Sequence, residues 1–442
     1  MKTILYPSLL VLWIWVLIAC GNEIEKPVPI STGPHPVLPA AETNLIPTVN
    51  IANAIGWPKD VLPQAATGLQ VNAFARDFDH PRWLYVLPNG DVLVAETNAP
   101  AKKASVKKFF MNLAMKKAGA SVPSANRISL LRDTDNDGIA DFRSVLLQDL
   151  NSPFGMALIE NTLYVANTDA IVKFPYQSGD TVITAPGVKV IDLPAEPINH
   201  HWTKNIIANA DGTTLYVTIG SNSNIGENGM AAESERAAIW QVNLKTGKHQ
   251  IFASGLRNPN GLAWEPSSKT LWTVVNERDG LGNDLVPDYL TSVREGGFYG
   301  WPYSYYGQHV DTRVSPQRPA LVAQALRPDY ALGSHVAPLG LTSSVGATLP
   351  APFTNGMFVG QHGSWNRKPH SGYNVVFIPF NNAQAPAQPS GTPIEVLSGF
   401  LSKKGEAYGR PVGVVIDKKG ALLVADDVGN IIWRVATAGN TQ

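Results

Sequence analysis

Along this chain, short runs of small and branched apolar residues come in pairs, each opened by a proline or polar residue, broken by a Gly or Asn turn and closed at a polar residue. The phrase returns at Pro81 to Glu96, Pro153 to Asn167, His201 to Gly220, Pro259 to Asn276, Leu339 to Gln361 and Pro411 to Asp426. Apolar runs this short, bounded by turn residues, read as strands. Six copies at blade-sized but unequal spacing predict an all-β fold, a six-bladed β-propeller whose equivalent strand ends gather around one axis. The residues that open and close the copies are therefore expected to meet.

A length of 442 residues would allow two or three domains, but the repeat argues for one closed domain over 51–442. The 38 Gly and 34 Pro suit a turn-rich β architecture. With 35 basic and 35 acidic residues the charge balances, which excludes an electrostatic case for nucleic acid. The N-terminus adds a second feature. Lys2 precedes an apolar run from Leu9 to Ala19, the layout of a signal peptide over 1–19, too short to be a convincing spanning helix. Cys20, the chain's one cysteine, follows that run directly and reads as a lipidation site. Gly21 after it resembles the sorting pattern for the outer membrane, so an exported, lipid-anchored protein facing the periplasm is expected. Residues 20–50, rich in Pro and small polar groups, read as a flexible tether.

Two insertions interrupt the strand rhythm. Lys102 to Ala118 has apolar residues at i, i+4 (Phe109 with Leu113, Phe110 with Ala114) flanked by lysines, a short basic helix that would cap the propeller or lie on an anionic membrane. After it, Asp133, Asp135, Asp137 and Asp141 alternate around Gly138, the pattern of a loop whose carboxylates converge on Ca²⁺. Its place between copies suggests a structural ion.

The chemistry clusters at the copy ends. The third copy opens Asn199-His200-His201-Trp202-Thr203-Lys204, and a neutral imidazole is a natural general base for an alcohol proton. Successive strand residues face opposite ways, so one of the pair points at a given space. Arg257, Arg278, Arg367 and Arg410 lie at other copy ends, as a flat, multiply anionic ligand would require, although any one arginine alone reads as a structural residue.

The segments His-His-Trp-Thr-Lys, Gly-Leu-Arg-Asn-Pro-Asn-Gly-Leu-Ala, Gly-Gly-Phe-Tyr-Gly-Trp-Pro, Gly-Ser-Trp-Asn-Arg and Gly-Arg-Pro-Val-Gly resemble the glucose/sorbosone dehydrogenase family, in its sorbosone dehydrogenase-like branch, over roughly residues 65 to 435. The resemblance implies pyrroloquinoline quinone (PQQ), a tricarboxylated orthoquinone, as redox cofactor, a sugar or aldehyde substrate and an external electron acceptor. It implies His201 as catalytic base with His200 beside the substrate, and Arg410 and Arg367 as cations meeting the cofactor. Asn224 stands near where the glucose-oxidising branch has an arginine. Asn276-Glu277-Arg278-Asp279 replaces the stretch that holds calcium there, which weighs against a calcium beside the cofactor and makes Arg278 the candidate to compensate. Two other readings stay open. A calcium-dependent lactonase propeller would use Glu96, Asn167, Asn276 and Asp426 around the axis, and a non-catalytic sugar-binding or scaffold propeller would use its 11 Trp and 13 Tyr to stack on sugars or to pack. Trp202, Trp301, Tyr303, Tyr305, Tyr306 and Trp365 read either as a sugar-stacking mouth or as packing between blades.

Overall fold

The structure, a computed structural model, describes residues 31–42, 48–100, 117–381 and 386–439. The signal peptide, Cys20 and residues 102–116 of the basic helix lie outside them. Each expected strand pair is the inner half of a blade. Pro81–Val86 pairs with Val92–Glu96, Met156–Ile159 with Thr162–Ala166, and Ile206–Ala208 with Thr214–Ile219. Pro259–Trp264 pairs with Leu271–Val275, Pro338–Ser343 with Gly356–Gln361, and Pro411–Ile416 with Leu422–Asp426. Numbered in that order, blades 1 to 6 are each completed outward by a third and a fourth strand.

The second strands are predominantly apolar up to their closing residue because both their faces are covered by neighbouring blades. Residues of Val92–Glu96, Leu271–Val275 and Leu422–Asp426 are all buried. The core is accordingly a ring of apolar layers between blades, such as Trp83, Leu93, Phe154 and Leu163 between blades 1 and 2. Phe358, Phe377, Leu422 and Trp433 form the layer between blades 5 and 6. Near the axis, space is tighter than any side chain allows: a Cβ on Gly340 would lie 2.2 Å from the Val412 carbonyl oxygen of the next blade.

The outermost strand of blade 6 is Leu69–Ala75, which pairs with Ile431–Thr437, so the two ends of the domain close the ring in one sheet. Closure by hydrogen bonds removes the open edge that a linear array would expose. The longest step between copies, from the fourth to the fifth, is explained by an insertion between the outer strands Pro287–Ser292 and Tyr330–Ser334, which carries the short helix Pro319–Val322. Within the stretch read as a tether, Thr32–Gly33 adds a fifth strand to blade 4. The Asn50 N–H then donates to the Trp365 carbonyl at 2.8 Å, and Trp57 Nε1 donates to Asp426 at 2.6 Å. The described part of this stretch is thus a strap across the strand-closing face.

Candidate active site

The strand ends of neighbouring blades bond to one another around the axis. The Gly155 N–H donates to the Lys204 carbonyl at 3.0 Å, Asn205 to the Asn260 carbonyl at 3.1 Å and Asn276 to the Pro338 carbonyl at 2.8 Å. Arg82 and His362 both reach Asp427, which links blades 1, 5 and 6. The repeat does bring these residues together, as a polar rim on one face.

His201 is held from behind. Its Nδ1 lies 2.8 Å from the Ser221 carbonyl oxygen and 3.1 Å from Ser221 Oγ. A carbonyl only accepts, and Ser221 Oγ already donates to the Ser223 carbonyl at 2.7 Å, so the network assigns the proton to Nδ1 and leaves Nε2 with a bare lone pair. Burial, then the Arg257 guanidinium and the His200 ring, push this imidazole well below its ordinary value. It is neutral at pH 7, as a base must be. Beneath it, a Cβ on Gly220 would lie 2.5 Å from His201 Cβ and from Asn258 Oδ1, so the residue there has to be glycine. His200 is exposed, its ring 4.7 Å from that of His201 and nearly perpendicular to it.

Among the sequence-expected cations, Arg410 and Arg278 both have orphaned donors, but Arg278 is paired with the Asp311 carboxylate and Arg410 has no ion pair among the described residues. It is buried, its Nε and Nη2 have no partner, and its guanidinium stacks 4.9 Å from the centre of the Tyr373 ring. A buried guanidinium with orphaned donors is a site for a desolvated anion or carbonyl oxygen. Arg257, Arg367, Asn224 and Asn276 are committed within the protein. Arg257 donates to the carbonyls of Glu277 at 2.8 Å and of Asn224 and Asn276 at 3.3 Å. Arg367 bonds Asn283, Pro369 and Asp284 between 2.8 and 3.0 Å. The Asn224 amide clamps the main chain of Asp279 in both directions at 2.9 Å, and Asn276 is the strut to blade 5. Of the expected ring of ligand-facing arginines, Arg257 and Arg367 are therefore scaffold, and Arg410 is left open with no carboxylate beside it.

Arg278 is fully buried under the blade 4 insertion, 3.1 Å from Asp311, with none of its guanidinium nitrogens hydrogen bonded. Beside it, burial raises Glu277 to about 7. A carboxyl raised on folding stabilises the protein below its unfolded value of 4.5, and that contribution is lost as pH rises through about 7. Glu277→Gln is expected to remove a fall in thermal midpoint between about pH 4.5 and 7 that the unmodified protein shows, worth ~3 kcal/mol at most; equal slopes for the two proteins would contradict this.

Sequence reasoning missed a second cluster. Asp427 is buried and accepts from Arg82 Nη1 at 2.6 Å and His362 Nε2 at 2.9 Å, with His80 Nε2 3.4 Å away. Burial alone would raise this carboxyl, but His362, His80 and Arg82 outweigh it and hold it far below the usual carboxylate range. Burial lowers His80 to about 4 despite the same carboxylate. Arg82 Nε is orphaned like the donors of Arg410. The signal was available: Arg82 flanks the proline that opens copy one, as Arg410 flanks that of copy six.

The acid and amide strand ends that a lactonase would use are occupied. Glu96 accepts from Arg127 at 2.6 and 3.0 Å and from Arg143 at 3.1 Å. Asp426 takes the N–H groups of Trp57, Trp433, Arg410 and Gly429, and Asn167 Oδ1 accepts from the Asn151 N–H at 3.3 Å. Of the aromatics, Trp301, Tyr303 and Tyr306 are buried packing, whereas Trp365 is 45% exposed. The aspartate loop lies away from the rim. Asp133, Asp135 and Asp137 each bring an oxygen within 4.8 Å of the others, while Asp141 accepts from Thr134 instead, and Lys419 of blade 6 donates to Asp133 at 2.6 Å.

A family model described as TrAA12-like matches residues 63–289 and 318–438. A PQQ-dependent pyranose dehydrogenase of Coprinopsis cinerea is 31% identical over 355 residues, 68% of this chain and 48% of that protein, so the chain spans about half the length of that relative. The holo form of the PQQ domain of pyranose dehydrogenase from the same organism superposes with a TM-score of 0.67 at 18% identity, covering 87% of this chain and 100% of the other. A calcium structure of the Trichoderma reesei AA12 enzyme gives 0.68 at 17% identity over 88% and 99%.

Proposed function

Since the chain belongs to the TrAA12-like family, we propose that it is a PQQ-dependent oxidoreductase that oxidises a hydroxyl or hydrated aldehyde of a sugar, of the aldose or sorbosone type. The observation that carries the reading is the pairing of a neutral, Nδ1-protonated His201 with the orphaned, buried guanidinium of Arg410 on one rim. A tricarboxylated quinone fits that guanidinium and the free Nε of Arg82 as an anionic ligand. When bound, it supplies the two-electron acceptor for hydride. The chain's own residues do the rest. His201 Nε2 takes the hydroxyl proton, Ser221 keeps the ring in the tautomer that can, and Arg410 stabilises negative charge developing across the rim. Trp365, exposed beside Ser364, offers a face on which a pyranose ring stacks.

Electrons leave to an acceptor outside the chain, which suits the periplasmic, lipid-anchored placement proposed from Cys20. Among the described residues no helix is long and apolar enough to cross a membrane. Calcium is proposed as a structural ion at Asp133, Asp135 and Asp137, because these offer the hard oxygen ligands it takes. The test is an absorbance titration of the purified protein with PQQ, with and without Ca²⁺, followed by a panel of aldoses. Saturable binding and bleaching by sugars are expected; no binding under either condition overturns the reading.

A further inference from the structure

His201 owes its orientation to no carboxylate. Its Nδ1 partners both belong to Ser221, and the groups that face it are Ser221, His200, Arg257 and Arg236. The Ser221 N–H donates to the Arg257 carbonyl at 2.8 Å, and the residues on either side of Ser221 are held by the turn over 230–236 in front of the third strand of blade 3. Glu233, buried, accepts the Asn222 N–H at 2.8 Å with Oε2 and the Ser223 hydroxyl with Oε1. Ser223 in turn takes the proton of Ser221 Oγ through its carbonyl. Arg236, also buried, donates through Nη1 to the Gly220 carbonyl at 3.1 Å, directly under His201. Through Nη2 it reaches the carbonyls of Pro194 at 2.7 Å and Ile198 at 3.2 Å, and Asn199 Oδ1 at 3.4 Å, on the loop that leads into the histidines. One guanidinium thus ties the loop carrying His201 to the floor that sets its tautomer. The planar fork of arginine can span both segments at fixed angles, which the point charge of lysine cannot.

The other end of the loop is tied in the same way. Lys204, fully buried, donates to the Trp202 carbonyl at 3.2 Å, which also accepts from Thr168 Oγ1 at 2.8 Å.

We propose that Arg236, seconded by Glu233, is the positioning residue that holds His201 with Nδ1 protonated and Nε2 bare. The proposal rests on the reading of His201 as the base. Holding the ring by a carbonyl rather than a carboxylate has a chemical consequence: no fixed negative charge stabilises the imidazolium, so the ring gives its proton up readily after each turnover. Arg236 and Arg257 add positive charge that favours the same return.

The test uses the full chain reconstituted with PQQ, in the variants Arg236→Met, Arg236→Lys and Glu233→Gln. Arg236→Met is expected to lower kcat by ~10²-fold, the scale of a small misplacement of a catalytic group, with KM little changed. It should also move the acid limb of the pH profile to higher pH, because a charge that favours neutral His201 is gone. Arg236→Lys keeps the charge, so its limb should return while kcat recovers only in part. Nitrogen NMR of the histidine rings gives a readout that needs no turnover: one Nδ1-protonated signal for His201 in the unmodified protein, and a tautomer mixture in Arg236→Met. If Arg236→Met does not fold, Glu233→Gln carries the kcat and ring-signal comparison, without the upward move of the acid limb, which belongs to the loss of a positive charge. An unchanged kcat, limb and ring signal in the folded variants overturns the proposal. Full activity in His201→Ala would instead overturn the base assignment, and the ring signal would still decide whether Arg236 sets the tautomer.

Discussion

Replacing His201 by alanine is expected to lower the rate of sugar-driven PQQ reduction by ~10²–10⁴-fold, the usual worth of a positioned general base. Binding of PQQ by absorbance should be unchanged, because the orphaned donors that would meet it belong to Arg410 and Arg82. The pH dependence gives a second check. A base works when unprotonated, and burial with Arg257 and His200 pushes His201 well below 6.5. The unmodified enzyme should therefore keep its kcat/KM plateau on the acid side of pH 6.5, and a half-maximal rate above that value would contradict the assignment. Retained activity in the alanine variant would sink it outright.

Replacing Asp427 by asparagine is expected to destabilise the fold by ~3–5 kcal/mol, the cost of leaving a buried cation without its partner. Asp427 faces Arg82 at 2.6 Å, and the two imidazoles of His80 and His362 share it. Because it links blades 1, 5 and 6, the loss should appear as a lowered urea midpoint of the whole ring. Its carboxyl lies below the unfolded value of 3.8. Its contribution is thus present above about pH 4 and is lost as pH falls through the still lower folded value. The variant should lose stability at neutral pH and converge on the unmodified protein in strong acid. A midpoint within error of the unmodified protein at pH 7 would show that the cluster is not a structural link.

How far the sequence could be read depended on whether a feature was local. Val92–Glu96 and Leu422–Asp426 were legible because a strand covered on both faces is a continuous apolar run up to its closing residue. Trp365 and Trp301 were not separable, since both sit in glycine-bounded aromatic segments and only packing leaves one 45% and the other 3% exposed. Arg410 and Arg367 looked alike for the same reason. Each follows a turn near a copy end, yet Arg367 meets the carbonyls of Asn283 and Pro369 and the carboxylate of Asp284, and Arg410 meets none. Hydrogen bonding across loops is a property of where distant chain segments arrive, which no local pattern encodes.

By itself, the sequence determined the six paired strands and the ring that follows from their repetition, and it placed the histidine pair at the opening of the third copy. The tertiary structure alone decided that Leu69–Ala75 closes the ring beside Ile431–Thr437, that Ser221 sets the tautomer of His201, and which arginines stay open to a ligand. The physical reason is range: apolar periodicity is written residue by residue, whereas closure, proton placement and orphaned donors depend on partners hundreds or tens of residues away.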